Sequence, residues 1–284
     1  MDFLDILKDT IIDAVKLLPF LIIAYLIMEY IEHKTTSKTK EIIKKSGKFG
    51  PLAGGILGAF PQCGFSVTAT NFYAARIITI GTLFSVYLST SDEMLPIMLS
   101  TGVKGSLILK ILAIKIIIGI TIGFLIDLVI NKIQKNKKEE VNIESICEHE
   151  HCHCEEGIFK SALKHTINIF IYIFILTLVL NILIELIGID KLETLVSRNI
   201  LLGSLISGLI GLIPNCASSV VLTEMYLSGI LKLGMMIGGL LINAGVGLLV
   251  LFRVNKIQKQ NILIVITLYL VGVISALILQ NLTL

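Results

Sequence analysis

Three groups of side chains in this 284-residue sequence are able to hold a metal ion or metalloid. The densest is the tract Cys147-Glu-His-Glu-His-Cys-His-Cys154, which places six of the ten Cys and His of the chain within eight residues. Mixed thiolate and imidazole sets of this kind bind Zn²⁺, Cu⁺ or Ni²⁺. Cys147, His149, His151, Cys152, His153 and Cys154 are therefore candidate ligands, although the spacing selects no unique set. His149-Glu-x-x-His153 also satisfies the HExxH pattern of zinc proteases, which needs a stable helix with both His on one face. Here it falls in a short polar tract, so the expected role is a metal-collecting or sensing arm, and the plainer alternative is a solvated linker.

Cys63 and Cys216 lie 153 residues apart, and each follows a Pro and an amide residue, Gln62 and Asn215. Thiolate suits Zn²⁺, Cu⁺ or a trivalent arsenical, whereas amide and carbonyl oxygens suit harder ions. One such Cys reads as a small packing residue beside a kink. A matched pair reads as lining for a substrate path.

Asp92 and Glu93 are adjacent carboxylates inside an apolar stretch, preceded by the hydroxyls of Ser89, Thr90 and Ser91. Ionised carboxylates at membrane depth face a cavity, pair with a cation or relay protons, and oxygen ligands of this type suit Mn²⁺. Ser91, Asp92 and Glu93 are candidate ion ligands from one half of the chain, and Asn243 is the candidate from the other. Glu224, which aligns with Asn71, is a weaker one. Lys115 sits in an apolar helix, where a long stem lets the ammonium snorkel to the interface. That is expected in preference to a counter-charge for Asp92. Asp127, near a helix end, is expected at the interface.

The elements that must position these groups follow from composition. The chain is 55% hydrophobic and 16% charged, with a mean hydropathy of +0.89, which is more apolar surface than a soluble fold can bury. Residues 11–31, 106–130, 167–187 and 262–279 form apolar runs, and about 20 helical residues cross a hydrocarbon core. A soluble enzyme, a disulfide scaffold and a nucleic-acid-binding domain are excluded. No P-loop pattern is present.

Lys and Arg cluster in residues 34–48, 132–160 and 253–259, which the positive-inside rule assigns to the cytoplasm. Residues 1–13 carry four Asp and one Lys, the wrong sign for a signal peptide, so both termini are expected outside and the linker inside. Three of the five Cys lie in that linker, where thiols stay reduced.

Sliding the chain by 153 residues aligns residues 51–98 with 204–251 without a gap, with 13 of 48 positions identical. The matches include Gly55/Gly208, Gly58/Gly211, Pro61/Pro214, Cys63/Cys216, Tyr73/Tyr226 and Gly81/Gly234, and the same offset pairs Gly119 with Gly272. The resulting units are a first transmembrane repeat (1–130), a Cys/His-rich linker (131–160) and a second transmembrane repeat (161–284). Cytoplasmic charge precedes Pro61, whereas the segment before Pro214 is weakly charged, so the halves are expected to be inverted. Inverted repeats hold substrate near mid-membrane between discontinuous helices. Pro61 and Pro214 interrupt segments long enough for half a bilayer, and a second break follows at 89–93 and at 243–247. Each half reads as five short crossings, or as three crossings and a re-entrant hairpin that keeps Arg76 cytoplasmic.

The stretches Phe60-Pro-Gln-Cys-Gly-Phe-Ser-Val67, Leu88-Ser-Thr-Ser-Asp-Glu-Met-Leu-Pro96 and Ile213-Pro-Asn-Cys-Ala217 resemble the motifs of the ten-helix heavy-metal exporter family, also described as manganese transporters or arsenic-efflux-type permeases. The resemblance covers both halves and implies export of a metal or metalloid. The fold expected is all-α: a polytopic membrane protein of two inverted repeats with Pro-broken helices or re-entrant hairpins. The activity expected is secondary transport of a divalent transition metal, Mn²⁺ first, by alternating access with proton exchange on the carboxylates. An arsenical permease is the alternative. The expected protein is not an enzyme and has no obligatory cofactor; its partners are the plasma-membrane bilayer and the ion, not nucleic acid, with room for an oligomer.

Against that expectation, an intramembrane metalloprotease would lose all function in Glu150→Gln or on deletion of residues 147–154. A transporter with this sequence keeps metal flux in vesicles after either change.

Overall fold

The computed structural model describes residues 47–60, 63–91, 93–133 and 199–282, with scattered helical positions between residues 7 and 26 and between 163 and 182. A short 3-10 turn, Gly47–Phe49, leads into α1 (Gly50–Gly58), followed by α2 (Cys63–Ala74), α3 (Ile80–Ser89), α4 (Met94–Ser100) and α5 (Gly105–Ile133). After the linker come α6 (Ile200–Gly211), α7 (Cys216–Leu227), α8 (Leu233–Ile242), α9 (Gly247–Val254) and α10 (Gln258–Leu282). Among the described residues there is no strand.

The starts of α2 and α7, α3 and α8, α4 and α9, and α5 and α10 are each 153 residues apart. The repeat seen in the residues is thus a repeat of helices and of the breaks between them. Among the described residues, Gly105–Lys132, Leu233–Val254 and Gln258–Asn281 are long and apolar enough to cross a membrane. The outer faces of α5 and α10 carry exposed Leu109, Ile117, Leu263 and Ile274, and α8 with α9 is almost wholly enclosed. The protein is an all-α, multi-pass membrane protein, with its breaks inside and its unbroken helices outside.

Each half is a sandwich of three helices, α1·α3·α5 and α6·α8·α10. Small residues set the spacing. A Cβ on Gly119 would stand 2.9 Å from the Ser85 carbonyl oxygen, and one on Gly123 would stand 2.6 Å from that of Gly81. In the second half, a Cβ on Gly234 would lie 2.9 Å from the Ala276 oxygen, and one on Gly238 would lie 2.7 Å from that of Gly272. Lipid tails are as apolar as Leu, so helices in a bilayer gain from close backbone approach and interhelical hydrogen bonds more than from apolar burial. Asp127 adds such bonds, accepting from Thr79 Oγ1 at 2.7 Å and from the Gly81 amide at 2.8 Å. Expected at the interface near a helix end, it also secures the start of α3.

The arms α1 and α2 run in and back as a hairpin. A Cβ on Gly47, ahead of α1, would lie 3.8 Å from Thr79 Cγ2, just beyond α2, so the chain goes in and returns to the same level. At about 1.5 Å per residue the 9 residues of α1 reach only about 13 Å. Of the two patterns left open by the residues, the described part of the first half follows the re-entrant one. Arg76 lies at the turn after α2, where φ is +59°, and its Nη2 donates to Gln260 Oε1 at 3.3 Å. The start of α10 is therefore at the end of the molecule where α5 finishes.

The halves meet by exchange. The returning arm α2 packs on α9 of the second half, and α7 packs on α4 of the first, while α3 touches α8 directly. Gly81→Val and Gly234→Val should each destabilise the detergent-solubilised protein by about 3 kcal/mol, because the added atoms meet backbone. Gly105→Ala, with nothing within 4 Å of the new Cβ, should leave the thermal midpoint unchanged.

Candidate functional site

Serine and threonine fill α2 and α7, and in a membrane their hydroxyls need acceptors. They find them one turn back: Thr68 on Gly64 O (2.8 Å), Thr70 on Ser66 O (2.7 Å), Ser219 on Cys216 O (2.8 Å) and Thr223 on Ser219 O (2.7 Å). Back-bonding of this kind satisfies the hydroxyl and loosens the helix. It makes the hairpin arms polar without leaving them hydrated.

Two joins connect the halves at the level of the breaks. At the first, Thr70 Oγ1 and Tyr87 OH lie 2.5 Å apart and each is within hydrogen-bond distance of the Gly247 carbonyl, at 3.3 and 3.2 Å, so their two protons are shared among the Ser66 carbonyl, the Gly247 carbonyl and each other. These residues belong to α2, α3 and the first residue of α9, so the second break is held against the first hairpin. A Cβ on Gly247 would stand 3.0 Å from Ser66 Cβ, which is why a residue with no side chain stands there. At the second join, Lys115 Nζ donates to the carbonyl oxygens of Thr90 and, at 2.9 Å, of Leu240. Lys115 is 0% exposed, so its ammonium does not snorkel outward as expected but sits between the two halves. Because α3 and α8 stop in mid-span, their last carbonyls lack intrahelical donors, and the ammonium supplies them.

The candidate ligands group around these joins unevenly. Ser91 is buried and donates to the Ala59 carbonyl at 2.7 Å, so the first break touches the tip of its own hairpin. Glu93 is half-buried and opens α4. Asn243 is buried in the second break, where its Oδ1 accepts from the Gly245 amide at 2.9 Å. Gly245, at the place matching Asp92, takes a φ of +53° that favours glycine. Asn215 is buried and caps α7 by accepting from the Ala217 amide, and Cys216 beside it is buried. Both amides thus hold backbone turns, a use that the ligand reading of the sequence does not include. Glu224 lies on the exposed face of α7, away from this centre. Gln62, Asp92 and the linker residues Cys147, His149, His151, Cys152, His153 and Cys154 lie outside the described residues, and Cys63 is described only as the start of α2. Among the described residues no three His, Cys, Asp or Glu side chains stand close enough to hold a metal.

The family described as "Putative, 10TM heavy-metal exporter" matches the chain twice, over residues 2–187 and 134–282. The chain belongs to this family. Neither a curated protein nor a solved structure matches it.

The residue of the exporter most undervalued by its sequence is Lys115. No signal along the chain marks it: Lys110 and Lys115 lie five residues apart in the same apolar helix, the first exposed and the second buried. Tyr87 and Thr70 were hidden, because a Tyr and a Thr in apolar helices read as ordinary packing. Interhelical bonds of this kind contribute about 1 kcal/mol each, so Tyr87→Phe and Thr70→Val should each lower unfolding stability in detergent by about that much. The double substitution should cost little more than either one, since the two hydroxyls share a partner.

Proposed function

We propose that the exporter moves a divalent transition metal, with Mn²⁺ as the first candidate, out of the cytoplasm by alternating access between two inverted halves. Support for inversion comes from α5 and α10. These are equivalent helices of the repeat, yet the end of α5, held by Thr79, and the start of α10, held by Arg76, lie at one end of the molecule. Lys132, Arg253, Lys256 and Lys259 belong to the same end, which the positive-inside rule makes cytoplasmic. The linker then starts on that side. The observation that carries the transport reading is the convergence of both helix breaks on one enclosed polar centre, spanning Ser91, Thr90, Lys115 and Leu240. Broken helices at mid-membrane are the usual holders of ions in transporters built from repeats.

Within that centre the chemistry is oxygen-rich. Carboxylates of Asp92 and Glu93, with carbonyl and hydroxyl oxygens of the breaks, suit Mn²⁺ better than a soft ion. Proton exchange on the two carboxylates is the proposed driving step. Cys216, buried at the start of α7 and matched by Cys63 in the repeat, supports a second reading in which a trivalent arsenical passes between the two thiols.

Reconstituted into liposomes, the native protein should carry Mn²⁺ with saturation, and Asp92→Asn with Glu93→Gln should reduce the rate at least about tenfold, the size of losing one charge-assisted contact. Flux untouched by that double change sinks the carboxylate site. Collapse of arsenical transport in Cys63→Ser with Cys216→Ser, with little Mn²⁺ transport in the native protein, would select the second reading. Flux without saturation would indicate a passive channel.

A further inference from the structure

Two helices stop inside the membrane with their C-terminal ends turned toward one point. Thr90 is the C-terminal cap of α3, and Leu240 lies in the last turn of α8, its equivalent in the repeat. A helix C-terminus carries a partial negative charge, and two that converge make a cation site without any acidic side chain. That point is filled by the protein itself, since Lys115 Nζ donates to both carbonyls from a side chain with no exposed surface.

The repeat shows that this is a single device. The residue matching Lys115 in the second half is Leu268, also fully buried, so one ammonium serves the ends of two helices. A lysine is an expensive choice for a joint whose only task is to hold carbonyls in hydrocarbon, where Ser, Thr or Asn would donate without a charge. The charge itself is therefore the feature to be explained. Thr90 is two residues from Asp92 in the sequence.

We propose that Lys115 is a tethered cation: its ammonium occupies, in the metal-free exporter, the cation site at the converging ends of α3 and α8, and leaves it when the transported metal binds. This rests on the reading of the protein as a metal carrier and names what happens in the half of the cycle that has no metal. A carrier that has released a divalent cation must reorient with its carboxylates uncompensated, a costly state at membrane depth. The ammonium supplies one of the two positive charges missing from Asp92 and Glu93, and a proton on either carboxylate supplies the other. Since the two acceptors of Lys115 belong to different halves, its departure also unties the halves at the moment when metal is bound.

Lys115→Gln retains a hydrogen-bond donor and removes the charge, whereas Lys115→Arg retains both. In proteoliposomes, Mn²⁺–Mn²⁺ exchange needs no empty reorientation, and net Mn²⁺ flux into metal-free buffer does. In Lys115→Gln, net flux should fall at least about tenfold while exchange changes less than about threefold, and Lys115→Arg should restore net flux. Equal loss of both rates in Lys115→Gln, or loss of neither, overturns the proposal. A second measurement does not depend on transport: Lys115→Ala vacates the ammonium's place, so methylammonium chloride should raise its thermal midpoint in detergent by about 3 °C and leave that of the native protein unchanged. The same shift in both proteins, or in neither, also overturns the tethered cation. Native vesicles that carry no Mn²⁺ while methylammonium still rescues Lys115→Ala would refute the metal reading and leave the cation site standing.

Discussion

A backbone carbonyl that loses its helical donor inside hydrocarbon must find another, and this protein has several in mid-span. The bonds from Lys115 Nζ to Thr90 and Leu240 answer that constraint at the point where it is most severe. Around them, Ser91 reaches the hairpin tip at Ala59, and Thr70 and Tyr87 hold Gly247. Without such donors, α3 and α8 would have no reason to stop where they do. An uninterrupted helix through 80–100 or 233–254 would satisfy the membrane equally well and would enclose nothing.

The close packing of the outer helices serves the same end. Gly119 and Gly123 bring α5 against α3, and Gly238 and Gly272 bring α8 against α10, at distances that admit no side chain between them. That contact compensates for breaks that cost the inner helices their continuity. It also separates labour: α5 and α10 are exposed along much of their length, whereas the broken pair α8 and α9 is almost wholly enclosed. Membership of a heavy-metal exporter family fits a molecule in which Ser, Thr, Asn and Lys115 are buried while Leu109, Ile117, Leu263 and Ile274 are exposed.

Matching halves do not make an even centre. The first break contains Asp92 and Glu93, and the second has Gly245 and Val246 at the same places. Tyr87 contributes a hydroxyl where its counterpart Leu240 contributes only a carbonyl. Lys115 has Leu268 as its partner in the repeat. The helices and breaks are thus repeated, whereas the charged residues come mostly from one half.

Much of the frame was legible in the residues. The apolar runs 106–130 and 262–279 named α5 and α10, those at 11–31 and 167–187 lie largely outside the described residues, Pro61 and Pro214 with the polar stretches near 90 and 243 named the interruptions, and an offset of 153 paired the halves, because hydropathy, helix-breaking and repetition are local or self-referential properties of a chain. Glycines at 81, 119, 234 and 272 were visible as matched pairs before their contacts were known. What depended on tertiary structure was every relation between elements remote in sequence: that the first hairpin returns to its own side, that α2 lies on α9 and α7 on α4, that Asn215 and Asn243 secure turns, that Glu224 faces outward, and that Lys115 turns inward. A lysine stem can reach water or the core with equal ease, and only the arrival of two carbonyls from separate halves decides which, so no pattern along the chain contains that answer.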